Sequence, residues 1–211
     1  MLTTLVLKII SRFGKTSEDV AEALEDGSFG MVSETCDSLN QIIVEAAQQK
    51  LGYGEAVGKN LLEINAQNPS LLAMCYKNRV PITVHIALGT DINHQHETAD
   101  GKAIGECSIR DFRILCHNLI DLNEGGIFLN FGSAVILPEV FLKAITVVRN
   151  LGYPLRNFYT AVFDMNFHYR PQANIVNRPT LSGGKGFYFV GHHELMIPLF
   201  LLTLKERIQN A

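Results

Sequence analysis

Histidine and carboxylate side chains gather in a few short stretches of this sequence, each just after an apolar run. GTDINHQHETADG carries Asp91, His94, His96, Glu97 and Asp100. Further on, Asp164, Asn166, His168 and Arg170 fall within seven positions, and His192, His193 and Glu194 are consecutive. Between these lies a run of small residues, Gly132-Ser133-Ala134. Free imidazole titrates near neutral pH, so His94 and His193 are candidates for acid–base work, with Asp91 as a carboxylate partner. The same residue types also suit a metal. His94-x-His96 on an extended loop can present two rings to one ion, and Asp91 and His193 would complete a ligand set for zinc or iron. HExxH is absent, so a metal-dependent hydrolase is the alternative reading and a site without metal the first.

Two other stretches have chemistry of a different kind. In GGIFLNFGSAVILPE, an apolar strand-like run stops at Gly132-Ser133-Ala134 and restarts as a helix near Pro138. A turn of small residues lets backbone approach a ligand, and the helix start turns a partial positive charge toward it, which suits phosphate. Neither GxGxxG nor a Walker lysine motif is present, and Ser133 is not in GxSxG, which argues against an α/β-hydrolase nucleophile. Lys185 stands in Ser182-Gly183-Gly184-Lys185-Gly186, a glycine-rich loop. A lysine so placed can bind phosphate or, if desolvated, form an imine.

The elements that must position these residues alternate after residue 80. Apolar runs at 81–88, 126–131, 158–163 and 186–191 read as strands; Ser108–Leu122, Pro138–Leu151 and His193–Ile208 read as helices. Ser108 is the expected N-cap of the first, and Gly152 the expected C-cap of the second. Nearly continuous apolar strands separated by helices predict an α/β protein, with a mostly parallel central sheet and helices on both faces. Such sheets bind ligands beyond the carboxyl ends of their strands. Five of the seven histidines follow the four strand-like runs, so a single edge would collect them; His85 and His117 read as structural. Before residue 80 the pattern is helical, with Glu34–Leu51 amphipathic and a capped start at Thr16-Ser17-Glu18-Asp19. No repeat or linker interrupts the chain, and one domain over residues 1–211 is expected.

Composition narrows the function classes. The 211 residues carry a formal net charge of −3 with no basic run, which argues against nucleic acid and anionic membrane as partners. The four cysteines are scattered without a CxxC pair, as in a reduced cytoplasmic protein. MLTTLVLKIISRFGK lacks the charge order and cleavage site of a signal peptide. No window reaches the ~18 apolar residues of a membrane helix.

The order GGIFLNFGSAVILPEVFLKAITVVRNLG, FYTAVFDM, NRPTLSGGKG and HHELMIPLFL resembles the C-terminal part of deoxyhypusine synthase, and more closely its uncharacterised bacterial relatives. VPITVHIALGTDINHQH resembles that family's strand ending in a Thr-Asp pair. The resemblance implies a Rossmann-like NAD-binding fold, of the kind also seen in sirtuins, usually in a homotetramer. In the synthases NAD takes a hydride from spermidine, and an active-site lysine holds the butylamine group as an imine before it passes to a translation factor. By motif order Lys185 matches that lysine, Asp91 the Thr-Asp aspartate, and Gly132–Ala134 the dinucleotide turn; NAD or a related nucleotide is expected at that turn and at Asp164. The sequence also departs from the family. Ile136 and Leu137 stand where the synthases have a histidine, and 180–184 holds neither the carboxylates nor the tryptophan that shape a polyamine pocket. The relatives carry further strand–helix units ahead of Thr16–Asp19, so this chain reads as shortened there. The expectation is an NAD- or nucleotide-binding homo-oligomer, dimer or tetramer, that acts as a transferase on another small molecule rather than as a deoxyhypusine synthase. A non-catalytic nucleotide sensor is the remaining alternative.

Overall fold

The computed structural model describes residues 33–64 and 70–210. The helix start read at Thr16–Asp19 and the segment MLTTLVLKIISRFGK lie outside the described residues. The chain divides into two compact units, Met1–Phe112 and Arg113–Ala211.

The first unit is helical where described. Helix α1 (Ser33–Gln49) buries Cys36, Asn40, Ile43 and Ala46, a three-to-four spacing that lines one face. Helix α2 (Tyr53–Ile64) returns Tyr53, Ala56, Val57 and Leu61 to the same core, and Ala103, Ile104 and Cys107 of α4 (Gly101–Leu119) join them. Helix α3 (Leu71–Lys77) approaches α2 closely at Gly58, where a Cβ would lie 2.7 Å from the Leu72 carbonyl oxygen.

Two expectations are corrected in this unit. Helix α4 begins at Gly101 rather than Ser108, because Asp100 caps it: Asp100 Oδ1 accepts from the N–H of Lys102 at 2.8 Å and of Ala103 at 3.3 Å. Residues 81–88 have no strand ladder. Their anchor is Asp111 of α4, wholly buried, whose Oδ2 accepts from Val84 N–H at 2.8 Å and from Gly54 N–H at 2.9 Å. An apolar run reads as a strand in sequence, but here a carboxylate takes the hydrogen bond that a neighbouring strand would supply. The segment passes so close to α2 that any side chain at Gly54 would meet the Ile82 carbonyl.

The second unit contains a three-stranded sheet, β1 (Ile127–Phe131), β2 (Phe158–Asp164) and β3 (Gly184–Val190), in the order β1-β2-β3 with both pairs parallel. The protein is thus α/β with a parallel sheet. Helix α5 (Ile136–Asn150) connects β1 to β2 and packs on one face, with Phe141 stacked on Phe128 at 3.6 Å between ring centroids. Gly152, at φ +88°, terminates it as expected. A wide-turned helical segment, Gln172–Asn177, covers the same face, and Ile175 accepts a hydrogen bond from Thr160 Oγ1 at 2.8 Å. The last helix, α6 (His193–Gln209), meets the opposite face through Phe200, which lies against Phe131 and Phe163. Arg149, at the end of α5, donates to the carbonyls of Leu155 and Pro179 and to Ser182 Oγ, tying down the approach to β3. Burial lowers its pKa from the ordinary guanidinium value. Among the described residues no helix is long and apolar enough to cross a membrane.

Burial of Asp111 raises its pKa to about 6, and the backbone donors of Val84, Gly54 and Tyr53 only partly offset that effect. The folded value lies above the unfolded one, so folding takes up a proton as pH falls toward 6, and the cost of the buried charge is relieved there. Lowering the pH from about 7 to about 5 should therefore stabilise the wild type relative to Asp111→Asn by about 1 kcal/mol in urea melts. A difference that is constant or moves the other way would contradict this reading of Asp111.

Candidate functional site

The carboxyl ends of the three strands finish level with one another. Gly132 N–H continues the β1–β2 ladder by donating to Phe163 O at 2.9 Å, and Gly191 N–H continues β2–β3 by donating to Asp164 O at 2.9 Å. Beyond that line lie Gly132–Ala134, Asp164, and the His192–His193 pair that opens α6.

The turn after β1 is built by its own residues. Asn130, buried within the apolar strand, donates from Nδ2 to Ser133 O at 3.1 Å, which folds the chain back over the strand end. Ser133 Oγ accepts from Leu137 N–H at 3.1 Å and so caps the first turn of α5. Pro138 has no N–H to satisfy there. Gly132 takes φ +66°, a left-handed conformation that glycine adopts without steric cost. The imidazole of His193 lies over it, its Nε2 3.1 Å from where a Cβ would stand. This imidazole comes from the segment after β3 and reaches the turn after β1, crossing the end of β2.

Asp164 ends β2 only 6% exposed. Its Oδ1 accepts from Asn166 N–H at 3.2 Å and lies 3.6 Å from His168 Nε2, whereas Oδ2 is buried without a partner. His193 Nδ1 is likewise buried without a partner. A buried polar atom is costly to leave unpaired, and these two lie at one sheet edge; Thr35 Oγ1, His94 Nε2 and Asp111 Oδ1 of the first unit are also without a partner among the described residues. The loop behind Asp164 is held by Tyr188, whose hydroxyl accepts from His168 N–H at 2.9 Å and donates to Asn166 O at 3.0 Å. Burial raises the Tyr188 pKa from its ordinary value, with a smaller push from Asp164.

Charged side chains gather around the first turn of α5. Glu139 pairs with Lys143, accepts from Asn174 Nδ2 at 2.9 Å, and lies 3.6 Å from Arg170 Nε. The Lys143 hydrogen bond, helped by its charge and by Arg170, holds the Glu139 carboxyl below the usual carboxylate range.

The structure thus brings Gly132, Ser133, Ala134, Asp164 and His193 to one edge, but not Lys185. That residue is the second of β3, paired with Tyr159, and not part of a loop. Gly183 and Gly184, at φ +107° and +92°, let the strand begin where any other side chain at Gly184 would meet the Phe158 carbonyl. At about 3.3 Å per residue, Lys185 stands roughly 16 Å along β3 from its carboxyl end.

Asp91, His94 and His96 belong to the first unit, in the loop after 81–88. With no strand at 81–88, the single histidine edge read from the sequence reduces to His168, His192 and His193. Among the described residues no group of three or more histidine, cysteine, aspartate or glutamate side chains is placed to hold a metal ion. His94 and His96 use their Nδ1 atoms to accept N–H groups of the protein. His85 is structural as expected, bonded to Thr83 Oγ1 at 3.0 Å and lowered in pKa by burial.

No protein-family model, curated protein or solved structure matches the chain. The sequence places His168 on the histidine edge without pairing it with Asp164, and it does not mark Asn130 as a site residue. A polar residue inside an apolar strand is the signal for Asn130, and the four-residue spacing across a turn is the signal for the Asp164–His168 pairing.

The backbone at Gly132 and the open surroundings of Gly105 predict opposite outcomes for the same substitution. Gly105 lies inside α4 with nothing near its Cβ position, so Gly105→Ala should stabilise the protein by about 0.5–1 kcal/mol. Gly132→Ala should cost about 1–2 kcal/mol, from the left-handed φ and the imidazole above it. Chemical denaturation of both variants checks this; equal effects would mean that the turn does not hold Gly132 as described.

Proposed function

We propose that the carboxyl edge of the sheet binds NAD or a related nucleotide. The observation that carries the proposal is the buried, unpartnered Oδ2 of Asp164, one strand away from the Gly132–Ala134 turn. A βαβ unit of this kind sets a small-residue turn and a helix start against a pyrophosphate, and an acidic residue after the next strand against a ribose hydroxyl. Ser133, whose oxygen accepts from Leu137 N–H, keeps its own proton free to donate to a phosphate oxygen. Asp164 Oδ2 would accept from the ribose, and His193, over Gly132, is placed to exchange a proton with whatever lies on the turn. The resemblance to deoxyhypusine synthase supports the same assignment from residue order.

As an enzyme, the protein would be an NAD-dependent transferase acting on a small molecule other than a polyamine. Bound NAD would supply a hydride acceptor, and the chain would supply orientation through Asp164 and the Gly132 turn and proton exchange through His193. The position of Lys185 favours a second reading, a nucleotide sensor without catalysis, because the candidate nucleophile stands at the other end of its strand from the proposed nucleotide. The apolar surface left on α6, where Leu195, Leu199 and Leu202 are exposed, supports a homo-oligomer.

Calorimetric titration with NAD tests the site. Saturable binding is expected for the wild type. Asp164→Asn should weaken it about 10–100-fold, the range for losing a hydrogen bond to a charged acceptor. Gly132→Asp should abolish it, and Lys185→Ala should leave it unchanged. No binding to the wild type at millimolar NAD, or binding indifferent to Asp164 and Gly132, would overturn the proposal. Loss of binding in Lys185→Ala would return that lysine to the site and remove the argument for a sensor.

A further inference from the structure

The strand order leaves β3 at an edge of the sheet, paired with β2 on one side only. Backbone groups point alternately to the two sides of a strand. Gly191 N–H donates to Asp164 O, so Lys185, Phe187 and Phe189 turn their N–H and C=O groups toward β2, and Gly186, Tyr188 and Val190 turn theirs outward. Among the described residues none of these outward groups has a hydrogen-bond partner. Unpaired edges commonly carry a proline, a bulge or several charges that discourage a second strand. The seven residues of β3 hold no proline and one charge, Lys185, and their register with β2 is unbroken. Phe187, Phe189 and Val190 are 45%, 46% and 59% exposed.

We propose that the outer edge of β3 pairs antiparallel with β3 of a second copy of this chain, about a two-fold axis at Tyr188. The strand is complementary to itself in that register. Gly186 then meets the partner's Val190, and Tyr188 the partner's Tyr188, so each outward N–H faces a C=O. On the opposite face Phe187 stands against the partner's Phe189, and Phe189 against the partner's Phe187, which gives two aromatic cross-strand pairs. Lys185 falls opposite the partner's Gly191, so no like charges meet. Moving the axis to Phe187 would set Lys185 against the partner's Phe189 and leave one aromatic pair in place of two. Phe189 stacks on Phe163, against which Phe200 of α6 lies, so the aromatic pairs and both α6 helices share one side of the joined sheet. The proposal rests on the reading of the protein as a homo-oligomer, names β3 as its contact, and needs no bound nucleotide. At seven residues a side the contact is smaller than a standard complex, so the dimer is reversible.

Sedimentation of the full chain gives the association, and hydrogen exchange above and below its midpoint reads the edge. Above the midpoint the Gly186, Tyr188 and Val190 amides should gain roughly tenfold or more in protection, while the Lys185, Phe187 and Phe189 amides, already bonded to β2, change little. A chain that stays monomeric at every concentration would overturn both the pairing and the homo-oligomer. A dimer whose three outward amides stay unprotected would overturn the pairing alone and leave the contact to α6. Protection of those amides in the monomer would mean that the chain covers its own edge, and would overturn the pairing too. Charge variants give a second reading. Phe187 and the partner's Phe187 are diagonal neighbours across the axis, so Phe187→Lys and Phe187→Glu should each weaken association about tenfold or more. An equimolar mixture of the two should recover it as a heterodimer. Variants that associate like the wild type, or a mixture no better than either alone, would overturn the pairing.

Discussion

The central strand β2 gives both its edges to parallel partners, and the hydrogen bonds on either side continue past its last residues. Phe163 O is taken by Gly132 N–H and Asp164 O by Gly191 N–H. Those bonds hold the ends of β1, β2 and β3 level, so the residues that follow each strand must emerge side by side. The small-residue turn, the buried carboxylate and the imidazole of His193 meet because of that register. A one-residue slip would turn Asp164 to the opposite face of the sheet and pass its place to a neighbour. The stacked column Phe131, Phe163 and Phe189, with centroids 4.7 and 4.9 Å apart, resists such a slip on the other face.

The first unit solves a different problem with similar means. Among the described residues no strand pairs with 81–88, and a single carboxylate oxygen of Asp111 holds both that segment and the start of α2. Burying a charge to hold two backbone donors is expensive, and the raised pKa of Asp111 records the cost. The loop that follows uses the Nδ1 atoms of His94 and His96 as acceptors of backbone N–H groups in the same way. In both places a side chain supplies the backbone with an acceptor that regular secondary structure would otherwise provide.

Much of the architecture was legible in the sequence because it rests on local pattern. The three strands and α5 follow from apolar runs, Pro138 and Gly152, and α1 from its amphipathic spacing. Residues 81–88 were misread because an apolar run carries no sign of whether a ladder partner exists, and Asp111, the residue that decides it, is 27 positions from Val84. Ser108 had the look of a cap only because Asp100, the residue that caps, lay among other polar residues. Lys185 was assigned to a loop because glycines flank it; those glycines are there to let the backbone pass Phe158 at the start of β3. Within the site, Gly132, Ser133 and Asp164 could be named from strand ends alone. His168 falls on the same edge by its position after the strand, but its pairing with Asp164 depends on the turn between them.

The most direct measurement of the central claim is a crystal structure of the protein grown with NAD. The account predicts a nucleotide across the carboxyl ends of β1 and β2, a ribose hydroxyl bonded to Asp164 Oδ2 and phosphate oxygens against Gly132–Ala134. A nucleotide seated anywhere else, with Asp164 Oδ2 still unpartnered, would contradict it.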